Sequence, residues 1–173
     1  MSLEISAETS FALDLTNAIQ YGPELHTDAN AASDPNGNEA DATTGWTPTS
    51  LTGTGSNVFE SQSSVVNTGT YALYADCNDT PTGGARFSKT FTVENGSNYK
   101  VTFKWRHVGV GANWNVAINS IGVLAITNTQ TIFESFSHEF TATSTSATVQ
   151  FGESNPSNDG GIYVDNLSFR KIL

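Results

Sequence analysis

The sequence predicts an all-β fold, a two-sheet antiparallel β-sandwich, on three observations. Short segments of alternating apolar residues recur with turn signals roughly every eight to twelve residues. Only 14% of the 173 residues are charged, while Thr, Ser, Asn and Gly are abundant, a composition that suits strands and turns better than helices. The last segment, Gly161 to Arg170, alternates at Ile162 and Val164 and resumes one step out of phase at Leu167 and Phe169. A strand has a side-chain period of two, so the slip at Asp165-Asn166 predicts a β-bulge.

The elements follow in order. Phe11, Leu15 and Ile19 fit a helix face, but Phe11, Leu13 and Leu15 fit a strand equally well, and residues 1–22 are taken as a strand or extended arm. Asp28 to Pro48 is turn-rich, with Asp34-Pro-Asn-Gly-Asn38 and Thr43-Thr-Gly-Trp46 as loop chemistry, and a second loop runs from Thr52 to Asn57. Strands are predicted at Tyr71 to Ala75 and at Arg86 to Val93, with Phe87, Phe91 and Val93 on one face. Asn95-Gly96 marks a turn. In the next strand Tyr99, Val101, Phe103 and Trp105 face one way and Lys100, Thr102, Lys104 and Arg106 the other. Asn113–Ile118 and Ile121–Ile126 form a hairpin across Asn119-Ser120. Ile132, Phe136 and Phe140 give one more apolar face, and Ala147, Val149 and Phe151 another.

The length fits one domain with a real core, residues 23–173, preceded by the arm. The net charge of −10 argues against nucleic-acid partners and anionic membrane, which need a basic face. Cys77 is the only cysteine, which excludes an internal disulfide and a thiolate zinc site; it is expected to be a small, partly buried apolar residue. No apolar run approaches the length of a membrane span. The start, Met1-Ser-Leu-Glu-Ile-Ser, lacks the basic and apolar regions of a signal peptide.

Catalytic signatures are missing. There is no G-x-S-x-G, no H-E-x-x-H and no phosphate-cradling glycine loop. His26, His107 and His138 have no metal-ligand spacing. Glu134 and Glu139 are five apart, so on one strand they face opposite sides, whereas a glycosidase pair converges across a cleft. Asp34 to Asp41 offers oxygens at short spacing but does not match an EF-hand loop and is taken as an Asx-turn loop.

Four pieces of sequence, in order, resemble the galactose-binding-like jelly-roll carbohydrate-binding modules. Gly69-Thr-Tyr-Ala-Leu73 is similar to their G-x-x-A-L strand. Phe87 to Phe91 with Asn95 to Phe103 resembles the F-x-V-x-x-G-x-x-Y-x-x-S-F hairpin, and Phe133 to Ala142 the W-x-x-Y-x-x-x-F-T-A strand. Tyr163-Val-Asp-Asn-Leu-Ser-Phe169 looks like the closing Y-I-D-D-V-S-L. The resemblance implies a jelly-roll sandwich, no catalysis, and often one structural calcium held by the first acid of the closing motif, here Asp165, with Glu24 and Asp28 in the place of its usual partners. The second acid is replaced by Asn166, which leaves one charge fewer.

A glycan platform needs an exposed aromatic face beside hydrogen-bonding groups. Trp46 and Trp105 are expected in the core. Trp114, near Gly109-Val-Gly111, and Tyr74 are the candidates for sugar contact, with Arg106 and Asn115 at the rim; the row with Lys104 reads equally as a solvated sheet face. The expected role is a non-catalytic structural or display component of a larger assembly, such as a bacteriophage head-decoration or tail protein on the virion surface, held to protein neighbours through the N-terminal arm. That expectation rests on a start without a leader and an end three residues past the last strand. The alternative is the polysaccharide-binding module of a secreted degrading system, its leader removed.

Overall fold

Eleven strands form among the described residues, eight of them where the alternation places them. In this computed structural model the described residues are 19–26, 45–50, 58–77, 85–109, 113–153 and 160–173. The strands are β1 (Tyr21–Glu24), β2 (Thr47–Ser50), β3 (Val58–Gln62), β4 (Ala72–Cys77), β5 (Ala85–Thr92), β6 (Asn98–Gly109), β7 (Trp114–Ile118), β8 (Ile121–Ile126), β9 (Glu134–Thr141), β10 (Ser146–Glu153) and β11 (Gly160–Ile172). The turns behave as their residues require. Asn119 and Ser120 both have positive φ, 51° and 68°, the condition for a two-residue type I′ hairpin between β7 and β8. Gly96, at φ 82°, turns the chain between β5 and β6.

The strands make two antiparallel sheets, so the sandwich is as expected. One sheet runs β3-β4-β11-β6-β9, with β1 also paired to β11; the other runs β2-β5-β10-β7-β8. The long closing strand β11 is central. On one side it pairs with β6 along nearly its whole length, and the register shifts between Asp165 and Ser168. Asn166 there has φ 52°, so the bulge read from the phase slip is present. On its other side β11 changes neighbours: β4 pairs with Gly160 to Val164, and β1 pairs with Arg170 and Ile172. The bulge lies between these two partners.

The core is aromatic and comes from both sheets. Phe91 stacks on Phe169 at 4.3 Å, Phe87 on Phe151 at 4.8 Å, and Phe103 meets Phe151 edge-on at 5.0 Å. Such pairs add about 0.5–1.5 kcal/mol beyond the area they bury. Trp46 and Trp105 are buried as expected, and Phe136 packs on Phe103 from β9. Ile132 instead is exposed, because it lies before the first residue of β9. The short strands β1, β2 and β3 were not read from the sequence. Residues 1–18 of the arm, Asp28 and the Asp34 to Asp41 loop lie outside the described residues, as does the side chain of Cys77.

His26 is a buried ionisable group at the core's rim, with Trp46 and Phe91 each 6.4 Å from its ring. Its Nδ1 is 3.3 Å from the Lys89 ammonium. Burial first, and the Lys89 charge second, pull the imidazole pKa down to about 4, against a weaker opposing pull from Glu24. The unfolded chain therefore takes up a proton near pH 6.5 that the folded protein refuses until about pH 4. Stability from the neutral ring is complete above pH 6.5 and is lost as pH falls towards 4, by about 3 kcal/mol at most. The urea midpoint is expected to drop on acidification over that window, and to drop less in His26→Gln. Equal slopes in the two proteins would show that His26 is not the group responsible.

Candidate functional site

The outer face of the β3-β4-β11-β6-β9 sheet carries a row of aromatic and charged side chains. Strand parity sets it up. Ile162 and Val164 point into the core, so Tyr163 points out. Cross-strand pairing then aligns Glu60 on β3, Tyr74 on β4, Tyr163 on β11 and Arg106 on β6. Tyr74 and Tyr163 stack at 4.6 Å with their planes 29° apart, and both are half-buried.

Gly161 makes this arrangement possible. A Cβ on Gly161 would lie 2.5 Å from the Tyr74 ring, so the missing side chain lets that ring lie down on the β11 backbone. The Tyr74 hydroxyl donates to Asp76 Oδ2 at 2.8 Å. Burial first, and that hydrogen bond second, hold the Tyr74 phenol above its ordinary pKa; burial also raises Tyr163. Both phenols are thus neutral hydroxyls at any physiological pH. The other Asp76 oxygen, Oδ1, is buried and accepts no hydrogen bond among the described residues. Arg106 Nε donates to the Gln130 carbonyl at 3.3 Å, which steadies the guanidinium beside Tyr163. Flat rings, a fixed cation and carboxylate acceptors can together hold a sugar, apolar ring face on tyrosine and hydroxyls at the polar rim.

The expected glycan residues are split. Tyr74 and Arg106 share this row. Trp114 does not: it shares parity with Val116 and Ile118, is fully buried, and its indole N–H donates to the Gly160 carbonyl at 3.2 Å. The glycine-rich turn before it suggested exposure, but alternation within the strand decides. Asn115 is exposed, but on the outer face of the opposite sheet, paired with Gly152. Tyr163 and Gly161 were missed as site residues, although the alternation around Ile162 and Val164 already turned Tyr163 outward.

The acids expected to hold calcium are occupied by donors of the protein itself. Asp165 is buried under the segment that joins β3 to β4. Its Oδ2 accepts from the backbone N–H groups of Asn67 at 2.7 Å and Thr68 at 3.2 Å, and its Oδ1 from that of Asn166 at 2.7 Å. Asn166 extends the clasp, receiving Asn67 Nδ2 and donating to Thr68 Oγ1, both at 2.6 Å. Glu24 accepts from Ser168 Oγ, the Phe169 N–H, Arg170 Nε and the His26 N–H. The two acids thus serve different clasps. N–H groups already engage oxygens of both carboxylates, and among the described residues no group of three or more His, Cys, Asp or Glu side chains gathers as a metal site.

Glu134 and Glu139 face opposite sides of β9, as their spacing implied, and Glu139 pairs with Lys100 at 3.1 Å.

No family model and no curated protein sequence matches the chain. Solved structures do. The CBM22-1 xylan-binding domain from Paenibacillus barcinonensis Xyn10C superposes with a TM-score of 0.57 at 13% identity, covering 78% of this chain and 90% of that one. TmCBM61, solved with β-1,4-galactotriose, gives 0.52 at 12% identity over 75% of this chain and 90% of that one. The chain thus shares the jelly-roll β-sandwich fold of these modules. The enzymatically active domain of bacteriophage CBA120 tailspike protein 4 contains a similar unit: TM-score 0.58, 19% identity, 82% of this chain but only 21% of that one. The jelly roll thus matches nearly the full length of the modules and about a fifth of the tailspike chain.

Replacing Asp165 by Ala should leave three N–H groups without their acceptor and cost about 2–4 kcal/mol in urea unfolding. The wild-type melting temperature should be the same in EDTA and in millimolar calcium. A rise in calcium that Asp165→Ala abolishes would restore the metal reading.

Proposed function

We propose that the chain is a carbohydrate-binding domain whose ligand lies on the outer face of the sheet containing β4, β11 and β6. The observation that carries this is the Tyr74–Tyr163 stack, laid flat over Gly161 and bordered by Arg106, Glu60 and Asp76. The fold it shares with the xylan-binding and galactotriose-bound modules supports the same reading. The residues act by binding: the rings cover apolar sugar faces, and the polar rim orients the hydroxyls. No residue has a catalytic task in this reading.

The test is calorimetric titration with soluble xylan and galactan and their oligosaccharides. Tyr163→Ala is expected to weaken binding by about tenfold or more. Gly161→Ala, which drives the Tyr74 ring off the strand, should weaken it comparably while the protein still unfolds cooperatively. Full affinity in both variants would remove the site.

A second reading concerns where such a domain works. The tailspike likeness supports a place on a virion surface, as a tail or decoration component beside protein neighbours; the xylanase-linked modules support an extracellular place beside a polysaccharide-degrading enzyme. Sugar binding serves in either setting. Assembly through residues 1–18 would make the elution volume in size-exclusion chromatography depend on concentration, and removing those residues would abolish that dependence. A concentration-independent monomer would favour the enzyme-linked setting.

A further inference from the structure

The same sheet face bears a cavity, which the tyrosine platform does not use. It lies between β1, β6 and β11, has a volume of about 200 Å³, and is lined by Tyr21, Lys100, Thr102, Ser168 and Arg170. All five side chains point outward, because Lys100 and Thr102 alternate with the buried Tyr99 and Val101, and Ser168 and Arg170 with Leu167 and Phe169. Tyr21 is an exposed aromatic, with its hydroxyl 3.1 Å from Lys100 Nζ. The cavity therefore offers, as the first site does, a ring beside polar groups: one ring, two hydroxyl side chains and two fixed cations.

Its charge is already balanced. Lys100 pairs with Glu139 at 3.1 Å, and Arg170 with Glu24 at 2.9 Å. Across the whole face the cations Lys100, Lys104, Arg106 and Arg170 are set against the acids Glu24, Glu60, Asp76 and Glu139. The chain as a whole carries a net charge of −10, which repels an anionic polymer. Balanced, fixed charges of this kind suit the hydroxyls of an uncharged ligand.

The cavity and the tyrosine platform lie along one strand. Arg106 and Lys100 are six residues apart on β6, roughly 20 Å at about 3.3 Å per residue. Between them the floor is polar: Thr102 and Lys104 on β6 lie beside the exposed Ser135 and Ser137 of β9. Lys104 Nζ donates to Ser135 Oγ at 2.5 Å. The Asn67–Thr68 clasp covers the β11 side at Asp165, so the open track runs along β6.

We infer that the groove at Tyr21, Lys100, Thr102, Ser168 and Arg170 is a second subsite for a neutral sugar unit, so that the face holds an extended, uncharged polysaccharide lying along β6. This rests on the carbohydrate-binding reading above and adds to it a second site, a direction and a charge class.

The experiment is titration of the full chain with xylan- and galactan-derived oligosaccharides from disaccharide to octasaccharide, and with polygalacturonate as the charged counterpart. Affinity should rise with length and then level off once both sites are filled. Tyr21→Ala should remove roughly tenfold of the long-chain affinity and leave the disaccharide unchanged. Thr102→Met, which fills the groove from β6 without touching β1, should do the same. Tyr163→Ala should weaken every length. Long-chain affinity that survives both groove variants would overturn the second subsite while leaving the tyrosine platform intact. Polygalacturonate binding more tightly than the neutral chains would overturn the charge class. Failure of every glycan to bind would remove the carbohydrate reading itself, and this inference with it.

Discussion

The structure depends on how β11 changes partners halfway along. Its first half is bordered by β4 and its second by β1, and the break between them would expose unpaired backbone at the middle of a sheet. Asp165 and Asn166 fill that break. The carboxylate takes the Asn67 and Thr68 N–H groups from the segment entering β4, while Glu24 on β1 takes the Phe169 N–H on the far side. A buried carboxylate is costly unless fully hydrogen-bonded, and bonds from ionised groups are among the stronger ones. The bulge also resets parity. Before it Tyr163 faces outward; after it Ser168 and Arg170 do, while Leu167 and Phe169 remain in the core. Without the extra residue, the second half of β11 would present Leu167 and Phe169 to water.

The distribution of tyrosine and tryptophan agrees with the face proposed for binding. The chain has three tryptophans and five tyrosines. Trp46, Trp105, Trp114 and Tyr99 are buried. The other four, Tyr21, Tyr71, Tyr74 and Tyr163, lie on or beside β1, β4 and β11, all in one sheet. The outer face of the opposite sheet presents Ser88, Thr90, Asn115, Thr148 and Gln150, side chains with hydrogen-bonding groups but no ring. A sugar needs both kinds of contact, and only the first face combines them among the described residues.

Much of this was legible in the sequence, for a physical reason: strand periodicity is local. The bulge, the hairpin at Asn119-Ser120, and the outward row of Lys100, Thr102, Lys104 and Arg106 follow from counting alternate residues. Trp114 could have been placed the same way, by its parity with Val116 and Ile118; attention to the neighbouring glycines misdirected it. What periodicity does not encode is which strand joins which sheet. Arg106 and Asn115 both point outward, yet they lie on opposite sides of the molecule. The Asp165 clasp joins residues 98 apart in sequence, and no local pattern announces it. The resemblance pointed to a cation there; the structure adds the amide N–H groups of a distant loop, which hydrogen-bond the carboxylate. β1 and β2, at four residues each, are too short to show alternation.

Nuclear magnetic resonance offers the most direct test of the claim that one bulge-corrected face carries the function. Backbone and side-chain signals would be followed while the tightest-binding neutral oligosaccharide is added. The expected shifts fall at Tyr74, Tyr163 and Arg106 and, past the bulge, at Ser168, Arg170 and Lys100. Shifts gathered instead at Asn115, Gln150 and Ser88 would put the ligand on the other sheet and contradict it.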